Sequence, residues 1–165
     1  MAQFTVQEVL EATHGQYTGT SSITFADVST DTRTIGENGL FVALEGMTFD
    51  GHDFLQIAKE RGATGAIVKI GKSIEGLVCI EVEDTLLAYQ QLATYHRRRF
   101  PIPVIGITGS SGKTTTKEMI SAVLEKAFTV LKTEKNYNNE NGVPKMLLQL
   151  TEDHDVCVLE MGMRG

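Results

Sequence analysis

Only two cysteines and three prolines occur among the 165 residues, and acidic residues outnumber basic ones by 21 to 15. No apolar run approaches the roughly 18 residues that a membrane-spanning helix needs. Each shortage excludes something. Cys79 lies in LVCIEV and Cys157 in VCVLE, both apolar strand-like runs. That placement reads as buried, reduced thiols in a cytoplasmic protein, neither a disulfide framework nor a metal site. The first residues, MAQFTVQEVL, carry no basic stretch followed by an apolar one, so no secretory signal is read there. A formal charge of -6 opposes non-specific nucleic-acid binding, which depends on a positive surface. The one basic cluster, Arg97-Arg98-Arg99, falls at the end of a predicted helix, where cations complement the helix dipole. Sixteen glycines with so few prolines suggest many tight turns rather than a flexible linker. No internal repeat is visible. Hydrophobic residues at 41% fit a globular chain with a real core.

Thr5-Val6-Gln7-Glu8 reads as a capping box that opens a helix through about Ala12. Short β-like runs, ITFADV and GLFVAL, follow within residues 23–45. A helix is expected over 53–61, stopped by Gly62, then strands at GAIVKI and LVCIEV. Asp84 is placed to cap a helix over 85–99. Pro101 and Pro103 end it, so the expected domain boundary divides residues 1–100 from residues 101–165. After Pro103 the pattern becomes strand (VIGIT), glycine turn, helix (113–126), strand (TVLK), polar loop, helix (144–150), strand (VCVLE). This alternation predicts an α/β fold: a small mixed α/β unit, then a parallel sheet with covering helices and ligands at the carboxyl ends of its strands. Three strands are fewer than an open α/β nucleotide-binding domain usually has, so this reading has the chain stop in mid-domain.

The strongest local signal is Thr108-Gly109-Ser110-Ser111-Gly112-Lys113-Thr114-Thr115, between an apolar strand and a helix. Glycines there let backbone N–H groups turn toward phosphate oxygens, and the helix N-terminus adds partial positive charge. Lys113 is the candidate for the β- and γ-phosphates, and the Thr114 hydroxyl for Mg2+. The spacing is shorter than G-x-x-x-x-G-K-[ST], because Ile107 stands where the first glycine would be. Glu160 ends a predicted strand on the same sheet edge, the position of a Mg2+-holding acid; alone, it is equally an ordinary surface glutamate. The run Asn136–Gly142 holds four asparagines and reads either as a turn or as polar contacts at that edge, with Pro144 suited to the first turn of the next helix.

These motifs resemble the Mur ligases. The loop Ile107–Glu118, the stretch Asn136-x-Asn138-Asn139-x-x-Gly142-Val143-Pro144 and the segment Leu159–Gly165 are similar to that family's pattern, in the form typical of its MurF branch. Asn141 departs from it, standing where an aliphatic residue is common. In the other half, Ser29-Thr30-Asp31-Thr32-Arg33, Gly39–Leu44 with Gly46, and Phe49-Asp50-Gly51-His52 resemble the UDP-binding domain shared by the MurE and MurF branches. The resemblance implies an ATP- and Mg2+-dependent ligase, monomeric and without nucleic-acid or membrane partners. It would join D-alanyl-D-alanine to UDP-MurNAc-tripeptide through an acyl phosphate. By resemblance, Lys113, Asn138 and Asn139 serve catalysis, residues 108–115 hold ATP, and Thr114 and Glu160 hold Mg2+. Thr30, Asp31, Arg33, Phe41, Gly46, Phe49, Asp50, Gly51 and His52 then line the substrate pocket. From the residues alone, Asp31 and Arg33 are equally a surface pair, and Asp50-Gly51-His52 a turn with a helix cap. The 165 residues by themselves are expected to be inactive. The alternatives are a MurE-type ligase that adds the third amino acid, a non-catalytic UDP-sugar or nucleotide-binding module, and a small phosphate-loop kinase.

Overall fold

A computed structural model describes residues 2–162 of the chain. The chain forms two compact units, Met1–Leu92 and Ala93–Gly165.

The first unit opens as its capping box predicts. The Thr5 hydroxyl accepts the Glu8 N–H at 3.2 Å, and the Glu8 carboxylate accepts the Thr5 N–H at 2.8 Å. This double cap starts α1 (Val6–Thr13), which stops at His14 in a left-handed conformation. A two-stranded antiparallel ribbon, β1 (Phe4–Thr5) with β2 (Thr24–Phe25), pairs the fully buried Phe4 and Phe25. The main sheet is entirely parallel, in the order β3 (Asp27–Ser29), β4 (Gly39–Val42), β5 (Ala63–Lys69), β6 (Val78–Val82). Its inner strands are buried on both faces, through all of β4 and over Gly65–Val68 of β5, and these stretches are apolar. One face packs Ile35, Phe41, Ala43, Leu55, Ala58, Ala66 and Val68 together.

The helix expected from Asp53 starts earlier, with a 3-10 turn over Gly51–Phe54 that leads into α2 (Leu55–Glu60). The cause is local: the Asp50 side chain accepts the His52 N–H at 2.9 Å and starts the turn there. Gly62, at a φ of 106°, ends the segment.

Helix α3 (Thr85–Arg98) is capped by Asp84, whose carboxylate accepts the Leu87 N–H at 2.9 Å. At its far end Arg97 is more than a solvated cation. Its guanidinium donates to the carbonyls of Phe100 (2.6 Å) and Ile102 (2.9 Å), fixing the chain that enters the second sheet.

The second unit contains β7 (Val104–Ile107), α4 (Lys113–Leu124), β8 (Val130–Lys132), α5 (Gly142–Leu147) and β9 (Val156–Glu160). The three strands are parallel in the order β7-β9-β8. All five residues of β9 are buried between its neighbours. Both helices finish sooner than the sequence pattern predicts, at 124 against 126 and 147 against 150. The chain there tightens to i→i−3 bonds, as in Ala127 N–H to the Leu124 carbonyl and Leu150 N–H to the Leu147 carbonyl. The core joins Leu131, Met146, Leu150, Cys157 and Leu159. Burial pushes the Cys157 thiol up to about 11, so this cysteine is packing rather than chemistry.

Candidate functional site

Three parallel strands deliver their ends to one edge of the second sheet. Beyond Ile107, at the end of β7, the chain turns through the glycine loop. Gly109 (φ 147°) and Gly112 (φ 75°) both occupy backbone conformations that side chains rarely adopt, so the loop's shape depends on them. Gly112 is the last residue before α4, and Lys113 is its first residue. The N-terminal N–H groups of a 12-residue helix therefore open onto the loop, together with its dipole. The Lys113 Nζ folds back to the Gly109 carbonyl at 2.6 Å, spanning the loop where an anion would sit.

The end of β9 supplies the carboxylate. Glu160 is 4% exposed, yet both its oxygens are engaged. One accepts the Thr114 hydroxyl at 2.9 Å, and the other the Asn138 side-chain amide at 2.9 Å. The loop after β8 is held to the same point, since Gly162 N–H donates to the Asn138 carbonyl at 2.7 Å. Thr114, Asn138 and Glu160 thus come together from three separate strand ends, with Lys113 next to Thr114 at the start of α4. A hydroxyl and a carboxylate facing each other at this distance are hard oxygen donors, the chemistry that suits Mg2+.

Asn139 does something different from its neighbour. Its side-chain oxygen accepts the N–H groups of Gly142 (2.8 Å) and Asn141 (3.3 Å), and its carbonyl accepts that of Val143 (3.0 Å). Asn139 thus holds the turn that leads into α5, which starts at Gly142, two residues before the expected position, and of the pair it is Asn138 that reaches Glu160. In the segment Leu159–Gly165, residues 163–165 lie outside the described part of the chain.

Two residues that the sequence reading does not single out sit beneath this site. Lys117 (3% exposed) and Thr133 (1% exposed) are buried polar groups behind Glu160. The Thr133 hydroxyl accepts the Glu160 N–H at 2.9 Å, and the Thr133 carbonyl accepts the Lys117 Nζ at 2.7 Å. Glu118 is paired with Lys117 (2.9 Å) and Lys132 (3.2 Å), which hold its carboxyl below the ordinary range. No sequence signal marks Lys117: the buried positions of α4 are Lys117 and Ser121, both polar, while its apolar Met119 and Val123 are exposed.

In the first unit the candidate substrate residues gather around the carboxyl edge of the four-stranded sheet. Thr30 and Asp31 follow β3. Ser29 organises that turn, its hydroxyl accepting the Asp31 N–H at 3.1 Å and touching the Thr34 hydroxyl at 2.9 Å. Asp31 and Arg33 do form a pair, at 2.7 Å, with the arginine side chain 81% exposed. The segment 45–50 doubles back on itself, with Gly46 N–H donating to the Phe49 carbonyl and Gly51 N–H to the Leu44 carbonyl. It projects Met47 and Phe49 outward, and Phe49 lies over Gly46 so closely that a Cβ there would meet the ring.

Several of these residues have structural work of their own. Phe41 is the clearest correction: at 2% exposure it lies in the core with Leu55 and Val68, so it offers no surface to a ligand. At Gly51 a Cβ would come within 2.6 Å of the Leu44 carbonyl oxygen, so glycine there permits a close backbone approach. His52 is buried, and both its ring nitrogens are engaged. Nε2 accepts the Lys69 N–H at 2.9 Å, which leaves the ring proton on Nδ1, facing Asp50. The His52 backbone N–H and then its ring hold the Asp50 carboxyl below the ordinary carboxylate range. Glu45, Asp50 and His52 bring ligand atoms within 4.8 Å of one another, but Lys69 pairs with Glu45 and Lys72 approaches Asp50 at 3.9 Å. That cluster is a solvent-exposed ion-pair network around the buried His52. A cleft of about 270 Å³ lies on the same sheet edge, lined by Glu45, Lys69, Glu83, Asp84, Thr85 and Leu86.

A glycine loop with Lys-Thr at a helix start and a buried acid on the adjacent strand define a phosphate-loop nucleotide fold, and the similarities narrow it further. A family profile described as the Mur ligase middle domain matches residues 107–165. The chain is 46% identical over 170 residues to the UDP-N-acetylmuramoyl-tripeptide–D-alanyl-D-alanine ligase of a Synechocystis species, an alignment covering 100% of this chain and 37% of that protein. The crystal structure of MurF from Acinetobacter baumannii superposes with a TM-score of 0.92 at 37% identity, over 98% of this chain and 36% of that one. The MurF ligase of Thermotoga maritima, solved in complex with ADP, gives a TM-score of 0.75 at 34% identity, over 82% of this chain and 32% of that one. The chain belongs to the Mur ligase family. It spans about 37% of the length of its Synechocystis relative, and these similar proteins are all of the MurF type.

Proposed function

We propose that this chain carries the nucleotide-binding start of an ATP-dependent ligase that joins D-alanyl-D-alanine to UDP-MurNAc-tripeptide in the cytoplasm. The observation that carries this reading is the convergence of Thr114 and Asn138 on Glu160 at one sheet edge, with Lys113 folded across the adjoining glycine loop to the Gly109 carbonyl. Residues 1–100 take the UDP end of the substrate and residues 101–165 begin the ATP domain. In the whole protein the substrate carboxylate attacks the γ-phosphate, ADP leaves, and the amine of D-alanyl-D-alanine displaces phosphate from the acyl phosphate. Residues 108–115 cradle the phosphates through backbone N–H groups. The Lys113 Nζ leaves the Gly109 carbonyl for the transferring phosphate. Thr114 and Glu160 would hold Mg2+, which supplies charge neutralisation on the phosphate oxygens when bound. Asn138 keeps the Glu160 carboxylate oriented between its two partners. Chemistry of this kind rests on positioning and charge neutralisation rather than on a protein nucleophile.

Calorimetric titration of the 165-residue chain with ADP and Mg2+, and separately with UDP-MurNAc-tripeptide against UDP-glucose, tests both halves of the proposal. Mg2+-dependent ADP binding with selective uptake of the muramoyl nucleotide supports it. Equal binding of UDP-glucose would sink the substrate assignment, and ADP binding indifferent to Mg2+ would sink the metal assignment. The chain by itself is expected to form no amide product, a result checked by phosphate release in the presence of all three substrates.

A further inference from the structure

The β8–β9 ladder changes its hydrogen-bonding pattern where it meets the site. The strands are parallel, with Lys132 opposite Val158, and Thr133 N–H donates to the Val158 carbonyl at 3.0 Å. In a regular parallel ladder the next bond would run from Glu160 N–H to the Thr133 carbonyl. Here the Glu160 N–H goes to the Thr133 hydroxyl instead, at 2.9 Å, and the carbonyl thus released takes the Lys117 Nζ at 2.7 Å. A side chain has replaced a main-chain acceptor at the residue before the chain leaves the sheet. A buried lysine closes the gap this leaves.

Resting on the nucleotide-binding reading above, we propose that Thr133 and Lys117 are positioning residues that set Glu160 for Mg2+ and start the turn that brings Asn138 to it. The geometry explains why both are polar at 1% and 3% exposure, where an unpaired polar group is unfavourable. Neither touches the phosphates. Their effect passes through one N–H and one carbonyl to the carboxylate, so it should appear in metal affinity rather than in nucleotide affinity without metal. Groups placed behind metal ligands in this way typically change metal affinity about 10- to 100-fold when removed.

Thr133→Val keeps the shape and removes the hydroxyl, while Thr133→Ser keeps the hydroxyl. Two readouts are made on the 165-residue chain: the Mg2+ concentration that half-saturates ADP binding, and, without nucleotide, hydrogen exchange at the Glu160 amide with the NMR signal of the Asn138 side-chain amide. Thr133→Val is expected to raise the Mg2+ midpoint about 10-fold or more, speed Glu160 exchange and shift the Asn138 signal, with metal-free ADP binding unchanged. Thr133→Ser should restore all three. Lys117→Met should move the same readouts in the same direction, and it decides the matter if Thr133→Val does not fold. Unmoved Mg2+ midpoints in both altered chains would overturn the proposal, as would serine behaving like valine. A native chain that binds no ADP with Mg2+ would instead overturn the nucleotide reading. The Glu160 exchange and Asn138 signal would then decide the positioning claim alone.

Discussion

In the sheet β7-β9-β8, side chains from distant parts of the chain meet: Thr114 and Glu160 are 46 positions apart, and Asn138 and Glu160 are 22 apart. In the sheet β3-β4-β5-β6, the edge segments bond mostly within themselves. Asp31 holds Arg33 two residues on, and Asp50 holds His52 two residues on. Both segments carry motifs that resemble the same family, yet the motif residues have different work. At the nucleotide edge most of them face one another across the site. At the other edge, Phe41, Gly51 and His52 first build the fold, and only the exposed remainder, Arg33 and Phe49 among them, is open to a ligand. A shared motif is therefore evidence of a shared backbone as much as of shared chemistry.

That contrast breaks most sharply at Lys113. Lys113→Ala in the full-length ligase should lower phosphoryl transfer by at least roughly 10²–10³-fold, the scale seen when one aimed charge-stabilising donor is lost. Phosphate release measured with saturating substrates checks it, and wild-type-like acyl-phosphate formation would remove Lys113 from its role. Phe41→Ala should behave in the opposite way, destabilising the first unit by about 3–5 kcal/mol through an unfilled core cavity. Urea denaturation followed by circular dichroism reads this loss, whereas a stable variant with lost UDP affinity would return Phe41 to the binding surface. His52→Ala removes the acceptor of the Lys69 N–H and should cost about 1–3 kcal/mol, visible in the same unfolding curves. Arg33→Ala marks the small end. Its pairing with Asp31 is largely exposed and screened by solvent, so stability should scarcely change. A loss of muramoyl-nucleotide affinity in that stable variant would identify Arg33 as a substrate contact, and unchanged affinity would leave it a surface pair.

Much of the fold is legible in the sequence because its signals are local. The capping box at Thr5–Glu8, the left-handed glycine at 62, the cap at Asp84 and the apolar strand runs each need only a few neighbouring residues to be read. Boundaries slip where a side chain competes for the backbone, as at Asp50 and Asn139, or where helix ends tighten. The glycine loop and Glu160 are visible for the same reason: one is a contiguous motif and the other ends an apolar run. Thr133 is not visible, since its role depends on which strand lies beside β8. Pairing order is a property of the folded sheet, and no spacing within TVLKT announces that β9 will be the neighbour. The difference between Asn138 and Asn139 is hidden likewise, because adjacent residues of one type separate only once the loop direction is set.

The central place of β9 also has a consequence for how the second unit comes into being. Among the described residues β7 and β8 each pair with β9 and not with each other, so neither of them has a strand partner there until β9 arrives. During synthesis the glycine loop emerges well before the acid that faces it. Long-range closure of this type is slow compared with helix formation. The loop therefore spends its early life without Glu160, and the edge that carries both is assembled only in the event that inserts β9, a wholly buried strand. Competence to hold a metal nucleotide would then report that β9 has inserted, and a nascent chain stopped before Val156 would lack both these strand pairings and the carboxylate.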